Sequence, residues 1–194
     1  MRITRVFEYL SRLSWKKPST SDLVIFDTYS ERHLRPFFRS QNLQVFDTTF
    51  RIISIWVLLN SLKFGWPSSR TYLASFVNLT RARLVITTID NSPLIYQIKT
   101  YVPSVCVIVI QNGRRDTIAK YAGRSFVDEI TNINRRSKCQ VDYFFTFGST
   151  EAAQFRELID CDFVSHGSLK NNLFEHTPDI RNRVLTFISS FTLN

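Results

Sequence analysis

The sequence lacks the glycine-rich loops that bind phosphate groups in nucleotide-dependent enzymes. Only five of its 194 residues are glycine. No GxGxxG run follows the first predicted strand, and the GxxxxGK[ST] run is missing. Because these motifs hold phosphates against a helix N-terminus, an ordinary dinucleotide-binding or P-loop enzyme is disfavoured. A GxSxG nucleophile elbow is also missing, which argues against an α/β-hydrolase.

Cysteine is scarce and carries no pairing pattern. The chain has three cysteines, Cys106, Cys139 and Cys161, and none belongs to a CxxC pair. An odd, widely spaced set argues against a disulfide framework and a zinc site, and for a reducing compartment. The three histidines show no metal-ligand spacing either, so we expect no bound metal.

No hydrophobic run is long enough to span a bilayer. The most apolar stretch, IISIWVLL (52–59), is far shorter than the roughly 18–20 residues that a spanning helix needs. No signal peptide is visible at the N-terminus. We therefore expect a cytoplasmic protein, with peripheral contact to the inner face of the membrane as the alternative placement.

Positive charge is abundant and uneven. The formal charge is +9, which favours anionic partners. Residues 1–17 hold five basic side chains against Glu8 alone, and residues 114–138 hold seven against three acidic ones. Two solvated faces are the plain alternative. Nucleic acid is the least favoured partner, because the basic clusters lack interleaved aromatics and a recognition-helix pattern.

Short apolar segments alternate with helix-like segments along the chain. This pattern predicts an α/β fold with a doubly wound, mostly parallel sheet. We expect helices at 3–13, 31–39 (interrupted at Pro36), 50–64, 69–80, 93–101 and 150–159. We expect strands at 23–27, 43–47, 84–90, 105–111, 143–148, 162–167 and 183–191.

Polar residues follow three of the predicted strands. Ligands bind such sheets at the carboxyl ends of the strands, so these residues are predicted to open onto one concave rim. Glycines at strand exits are expected where the backbone turns sharply. The candidate binding residues are Asp90, Asn91, Ser92, Gln111, Asn112, Gly113, Arg114, Arg115, His166, Gly167 and Ser168.

Several of these residues also have a purely structural interpretation. Asn91 or Ser92, just before Pro93, can cap a helix. The pair Asn112-Gly113 is typical of a turn, although turn chemistry explains neither the preceding glutamine nor the following arginines. His166 fits a ligand contact and a half-buried structural histidine equally well.

Four segments together resemble one protein family. ITTIDNSPLIYQI, VIVIQNGRRD, DYFFTFG and DFVSHGSLKNN resemble, in this order, the N-terminal half of bacterial surface-carbohydrate biosynthesis proteins. That family is similar to GT-B glycosyltransferases, with two Rossmann-like domains, and some relatives transfer Kdo-type sugars from CMP-activated donors. The resemblance is strongest over 84–172 and looser over 22–80.

The resemblance implies a domain organisation. Residues 1–21 would form an N-terminal basic helix, residues 22–175 a Rossmann-like acceptor-side domain, and residues 176–194 a linker and the first strand of a donor domain. Because the sequence ends at Asn194, we expect a chain truncated before that second domain. It would bind no cofactor itself, and a CMP- or UDP-sugar would be bound by a separate donor-domain chain.

The resemblance also implies roles for the candidate residues. Asp90 would be the catalytic carboxylate, activating an acceptor hydroxyl or stabilising positive charge at the sugar carbon. Gln111 and Asn112 would hydrogen-bond sugar hydroxyls. Arg114 and Arg115 would pair with carboxylate or phosphate, and the loop 166–168 would complete the rim.

Three functions are therefore weighed. The first is the acceptor-side part of a surface-polysaccharide glycosyltransferase that binds an anionic glycan or lipid-linked acceptor and is inactive alone. The second is a non-enzymatic module that binds glycan or another polyanion, and the third is a nucleic-acid-binding protein. The basic N-terminal helix and the apolar helix at 50–64 are predicted either to contact an anionic membrane face or to belong to the core.

Overall fold

The computed structural model describes residues 11–39, 42–113, 126–135 and 137–169. Within these ranges the strands are β1 (Leu13–Ser14), β2 (Leu23–Phe26), β3 (Leu43–Phe46), β4 (Ile53–Ser54), β5 (Leu84–Thr87), β6 (Cys106–Ile110), β7 (Gln140–Thr146) and β8 (Asp160–Ser165). The α-helices are α1 (Thr28–Leu34), α2 (Ile55–Ser61), α3 (Ser69–Thr80), α4 (Ile98–Tyr101), α5 (Phe126–Asn134) and α6 (Ser149–Phe155).

Six strands form one parallel sheet in the order β3-β2-β5-β6-β7-β8. All five strand pairings in this sheet are parallel. From β2 the chain moves to β3 on one side, and from β5 it moves to β6 on the other. The strand order therefore reverses between β2 and β5, which is where a doubly wound sheet has its ligand-binding crevice. The predicted fold class, a doubly wound and Rossmann-like α/β sheet, is confirmed.

Both faces of the sheet are covered by apolar clusters, as a buried parallel sheet requires. Strand β2 is buried on both faces, and its successive side chains alternate between the two faces of the sheet. Val24 and Phe26 pack in the larger cluster with Phe144, whereas Leu23 and Ile25 pack in the smaller one beside α1. The ring of Phe26 stacks on Phe46 of β3, with 5.7 Å between the centroids. Strand β2 is thereby packed on both faces of the sheet.

Helix α3 has the bounds that the sequence predicts, and its start is fixed by a capping box. The hydroxyl of Ser68 accepts from the backbone N–H of Thr71 at 3.3 Å, and the hydroxyl of Thr71 accepts from the backbone N–H of Ser68 at 2.9 Å. Helix α1 ends at Leu34 and a 3-10 turn, Arg35–Phe38, follows it. The predicted interruption at Pro36 is thus confirmed.

The predicted helix at 50–64 is wrong at its start. Ile53 and Ser54 form β4, which pairs in parallel with β1, and the helix begins only at Ile55. The backbone N–H of Ile53 donates to the carbonyl of Arg12 at 2.8 Å. Pairing with a distant segment therefore overrides the helical pattern, and it also turns Leu13, predicted as the last helical residue, into a strand residue.

Other predicted boundaries shift by a few residues. Strand β7 begins at Gln140 rather than 143, α6 ends at Phe155 rather than 159, and β8 begins at Asp160 rather than 162. The predicted helix at 3–13 lies mostly outside the described residues, and the strand at 183–191 and the segment 176–194 lie wholly outside them. Among the described residues, no helix is both long and apolar enough to cross a bilayer.

Candidate functional site

The three predicted loops lie along one edge of the sheet. Because β5, β6 and β8 are parallel members of the same sheet, residues 88–92, 111–113 and 166–168 all follow carboxyl ends of strands. Strands β6 and β7 lie between β5 and β8, which are therefore three strand spacings apart. The outer two loops are thus about 14 Å apart along the edge. The loops share an edge, but they are not all equally open to solvent.

Gln111 is a buried clamp between two strand exits. The residue is only 2% exposed. Its Oε1 accepts from the backbone N–H of Phe147 at 2.8 Å, and its Nε2 donates to the carbonyl of Gly113 at 3.2 Å. Both ends of the amide are therefore used inside the protein. The expectation that Gln111 opens onto a concave surface is wrong, because these bonds hold it in the interior.

Asp90 is also buried, at 1% exposure. Its backbone carbonyl accepts from the hydroxyl of Tyr96 at 2.6 Å, which ties the loop to the core. Its expected opening onto the rim is likewise wrong in this conformation. The cap interpretation of Asn91 and Ser92 is wrong too, because the next helical turn begins at Ile95 and has no side-chain cap. Asn91 itself is exposed.

A small polar cavity lies where these loops converge with α1. Its volume is about 10 Å³, which is room for about one water molecule. Oδ1 of Asn112 is buried and has no hydrogen-bond partner among the described residues. The sheet edge thus brings three predicted residues together with three that were not predicted. The cavity is lined by His33, Thr88, Gln111, Asn112, Ser168 and Leu169.

A buried hydroxyl cluster, which sequence reasoning missed, occupies the point where the strand order reverses. The hydroxyl of Ser30 accepts from the backbone N–H of Thr88 at 2.9 Å and lies 3.1 Å from the hydroxyl of Thr87. The hydroxyl of Thr87 donates to the carbonyl of Phe26 at 3.1 Å. These bonds join β2, α1 and β5. The run of two threonines at the end of a strand is the only sequence signal for it.

Asp27, at the exit of β2, is a second residue that sequence reasoning missed. Its φ is 81°, a left-handed value that costs a non-glycine residue energy and is often found at functional sites. Its carboxylate accepts from the backbone N–H of Tyr29 at 2.7 Å and from the hydroxyl of Thr48. The aspartate therefore starts α1 and fixes the loop after β3. Its position directly after a buried strand could have identified it.

The loop after β8 is the open part of the edge. His166 is exposed, its ring packs edge-on against Phe145 with 5.7 Å between centroids, and its backbone N–H donates to Thr146 at 2.9 Å. Gly167 has φ +81°, so a side chain there would be strained. Gly148 does not share this requirement, since its φ of −173° is ordinary extended backbone.

The last points about this edge concern two predicted arginines and metal binding. Arg114 and Arg115 lie outside the described residues. Within the described part of the chain, no three His, Cys, Asp or Glu side chains are grouped so that they could hold a metal ion. The described side chains at this edge therefore include amides, hydroxyls and one exposed imidazole. These groups hydrogen-bond sugar hydroxyls.

Larger surface depressions lie at the opposite, amino-terminal edge. One of about 620 Å³ is lined by Lys138 and Arg156, and one of about 710 Å³ by Arg81 and Arg83. Both are shallow. The first also carries Glu157 and Asp160, and the second Asp22, so only the second has a net positive charge. We favour the carboxyl edge as the functional site despite its smaller cavity, because loops at carboxyl ends carry the ligand contacts of doubly wound sheets.

Comparison with known proteins identifies one related family. Residues 108–194, less than half of the chain, match a family described as O-antigen biosynthesis proteins. The matched segment contains the loops 111–113 and 166–168 and excludes Asp90. No curated protein and no solved structure matches the chain. The family match supports a role in surface-polysaccharide biosynthesis.

Proposed function

We propose that this chain is the acceptor-side part of a glycosyltransferase that builds a surface polysaccharide. The observation that carries the proposal is the coincidence of the O-antigen biosynthesis match with the polar loops at the carboxyl edge. Two of the three candidate loops, 111–113 and 166–168, lie inside the matched segment. Their side chains are of the kinds that bind sugars.

The acceptor glycan binds along the loops after β6 and β8 in this proposal. The buried Oδ1 of Asn112 is an acceptor that gains a hydrogen bond when a sugar hydroxyl or a water reaches it. His166 and Ser168 supply further donors and acceptors beside it. Arg114 and Arg115 would pair with a carboxylate or phosphate of an anionic acceptor, since guanidinium groups bind such anions in a bidentate manner.

Asp90 is the proposed catalytic carboxylate, activating the acceptor hydroxyl. Because it is 1% exposed, the loop 90–92 has to open when the acceptor binds. An activated CMP- or UDP-sugar, held by a separate donor domain, would supply the sugar that is transferred. The chain alone therefore has negligible transfer activity in this proposal, since positioning of donor against acceptor provides a large share of the rate.

The test combines a transfer assay with a binding assay. The purified chain, alone and mixed with a donor-domain protein from the same pathway, is incubated with CMP- and UDP-sugars and acidic oligosaccharide acceptors. We expect transfer only in the mixture, and its loss in Asp90→Asn, which keeps the size of the side chain. Full transfer by Asp90→Asn in the mixture would remove Asp90 from the mechanism.

A non-enzymatic glycan-binding module is the second candidate. It is favoured by the burial of Asp90 and by the use of both ends of the Gln111 amide within the protein. If the chain is a module of this kind, the wild-type protein and Asp90→Asn would bind the acidic oligosaccharide with equal affinity. Such a module would also show no transfer with any donor protein, which separates it from the first candidate.

A further inference from the structure

Helix α2 exposes large apolar side chains although its buried face is partly polar. That face carries Val57, which packs in the core, together with Asn60 and Ser61. Nδ2 of Asn60 donates to the hydroxyl of Ser75 on α3 at 3.0 Å. Its outer face carries Trp56 and Leu59, which are 47% and 57% exposed. Polar residues are mostly exposed and large apolar residues mostly buried in soluble proteins, so large apolar side chains exposed above buried polar groups are informative. The outer face is therefore built to contact something other than water.

All three tryptophans of the protein are exposed, and two of them are in direct contact. Trp15 is 76% exposed, Trp56 47% and Trp66 88%. The indole Nε1 of Trp56 donates to the backbone carbonyl of Trp15 at 2.8 Å, which joins the segment after β1 to α2. Tryptophan is a residue that normally buries most of its surface in a core or an interface. Exposing every copy of it points to an interface.

These side chains, with the exposed apolar residues near them in the chain, are here called the tryptophan ridge. Trp56 and Leu59 are three residues apart in α2, so they lie on one side of the helix. Ile52 precedes β4, and Leu62 follows directly after α2. Trp66 extends the ridge beyond the 3-10 turn Leu62–Phe64 that follows α2. Each member is at least 47% exposed, so the described residues do not cover the ridge. The ridge consists of Trp15, Ile52, Trp56, Leu59, Leu62 and Trp66.

The segments that carry the ridge have charge of one sign. Residues 11–21 and 51–80 contain no Asp or Glu. Their basic residues are Arg12, Lys16, Lys17, Arg51, Lys63 and Arg70. A surface that combines tryptophans and leucines with lysines and no acids is complementary to an anionic, amphipathic partner.

A depression beside the ridge would accommodate the charged part of such a partner. It has a volume of about 550 Å³ and includes Lys16, Lys17 and Arg51 in its walls, next to Ile52 of the ridge. Asp47 also lines it and lies 3.9 Å from Nε of Arg51, so three basic side chains face one carboxylate and the depression keeps a net positive charge. The hydroxyl of Ser54 donates to the carbonyl of Lys16 at 2.8 Å, which holds this basic segment against α2. Basic and apolar contacts are thus supplied side by side.

We propose that the tryptophan ridge lies in the interface of an anionic lipid bilayer, with the lysines against lipid phosphates. Indole rings favour the boundary between headgroups and acyl chains, and basic residues are attracted to an anionic leaflet. A second copy of the chain is a less suitable occupant, because a symmetric contact would place two surfaces of net positive charge against each other. The docking does not depend on glycosyl transfer.

The test is flotation of the full chain with two kinds of vesicle. One is phosphatidylcholine alone, and the other contains about 30% phosphatidylglycerol. We expect binding to the anionic vesicles only, with a blue shift of tryptophan fluorescence, and release at about 0.5 M salt. Trp66→Ser should lower binding about tenfold, because its apolar surface leaves the interface.

Two matched controls make the result specific. Phe37→Ser removes an exposed aromatic outside the ridge (56% exposed) and should bind like wild type. The pair Lys16→Glu and Lys63→Glu should abolish binding, whereas Arg32→Glu with Arg135→Glu, an equal change of net charge elsewhere, should not. Equal binding to both vesicles, no binding at all, or equal losses in ridge and control variants would overturn the proposal. A dimer in solution that Trp66→Ser dissociates, without vesicle binding, would assign the ridge to a second copy instead.

Discussion

At the scale of single residues, the thiol of Cys139 has a measurable consequence of burial. The side chain is 0% exposed, and burial raises its pKa to about 11, against an opposing effect of the positive charge of Arg70. The thiol therefore stays protonated through neutral pH. We expect a thiol reagent at pH 8 to leave Cys139 unmodified in the folded protein and to modify it after unfolding in urea.

The same pKa difference makes stability depend on pH. The unfolded thiol ionises near pH 9 and the folded one only near 11, so the folded state is fully favoured below pH 9 and loses this advantage as pH rises towards 11. Between pH 9 and 11, the free energy of unfolding should fall less in Cys139→Ala than in wild type. Parallel pH profiles for the two proteins would contradict the assignment.

Gln111 gives a second prediction at this scale. Gln111→Ala removes the acceptor of the Phe147 N–H in a buried place, and leaving such a donor unpaired costs about 1–3 kcal/mol. We expect a decrease of about 2 kcal/mol in the free energy of unfolding, measured in urea. Asn91→Ala, at an exposed position, is the control and should be neutral.

Gln111 also shows where prediction from the sequence ends at the residue scale. The position of the residue at a strand exit was predictable from the apolar run before it. Its hydrogen-bond partner was not, because Phe147 is 36 residues away and is brought near only by the pairing of β6 with β7. The same holds for Ser30 and Thr88, whose contact depends on α1 folding back over β5.

At the scale of elements, a side chain links β7 to β6 beside the start of their pairing. Asp142 lies in the stretch of β7 where the pairing with β8, on its other side, shifts between Gln140 and Tyr143. Its Oδ2 accepts from the backbone N–H of Val107 at 2.7 Å, and its Oδ1 pairs with Nζ of Lys99 at 2.5 Å. A carboxylate thus adds a hydrogen bond between β6 and β7 just before their paired residues begin at Ile108 and Tyr143.

Removing this carboxylate should weaken the junction between the two strands. Asp142→Ala leaves the N–H of Val107 and the mostly buried ammonium of Lys99 without this acceptor. We expect a loss of about 2 kcal/mol in the free energy of unfolding, since hydrogen bonds to charged groups contribute about 1.5–3 kcal/mol. Asp160→Ala removes the exposed pair with Lys138 and should cost less than 1 kcal/mol, about the usual value for a surface pair. Equal losses in the two variants would contradict this account of β7.

Elements whose signals are local were predictable, and those that depend on distant pairing were not. Helix α3 has its capping box and its apolar face within its own sequence, so its bounds agree with the prediction. The start of α2 does not, because β4 exists only through its pairing with β1, forty residues earlier in the chain. The exposed ridge on α2 was not predictable for a related reason. Its apolar residues are typical of a core helix, and only the structure shows which face of the helix is buried.

At the scale of the whole molecule, the alternation of strands and helices was enough to predict the parallel sheet. It could not give the strand order, because the placement of β2 between β3 and β5 depends on which faces pack together. Loops 88–92, 111–113 and 166–168 were predictable as neighbours of one edge. Their different exposures were not, because these follow from how closely α1 packs over that edge.

The most direct test of the central claim is to locate where the chain binds an acidic surface-polysaccharide oligosaccharide. The measurement is a titration followed by backbone amide chemical shifts. The account predicts the largest shifts at 111–113 and 166–168, and weaker binding in Ser168→Ala with an unchanged free energy of unfolding. Shifts centred instead on the depression beside Lys138 and Arg156, or binding unaffected by Ser168→Ala, would contradict it.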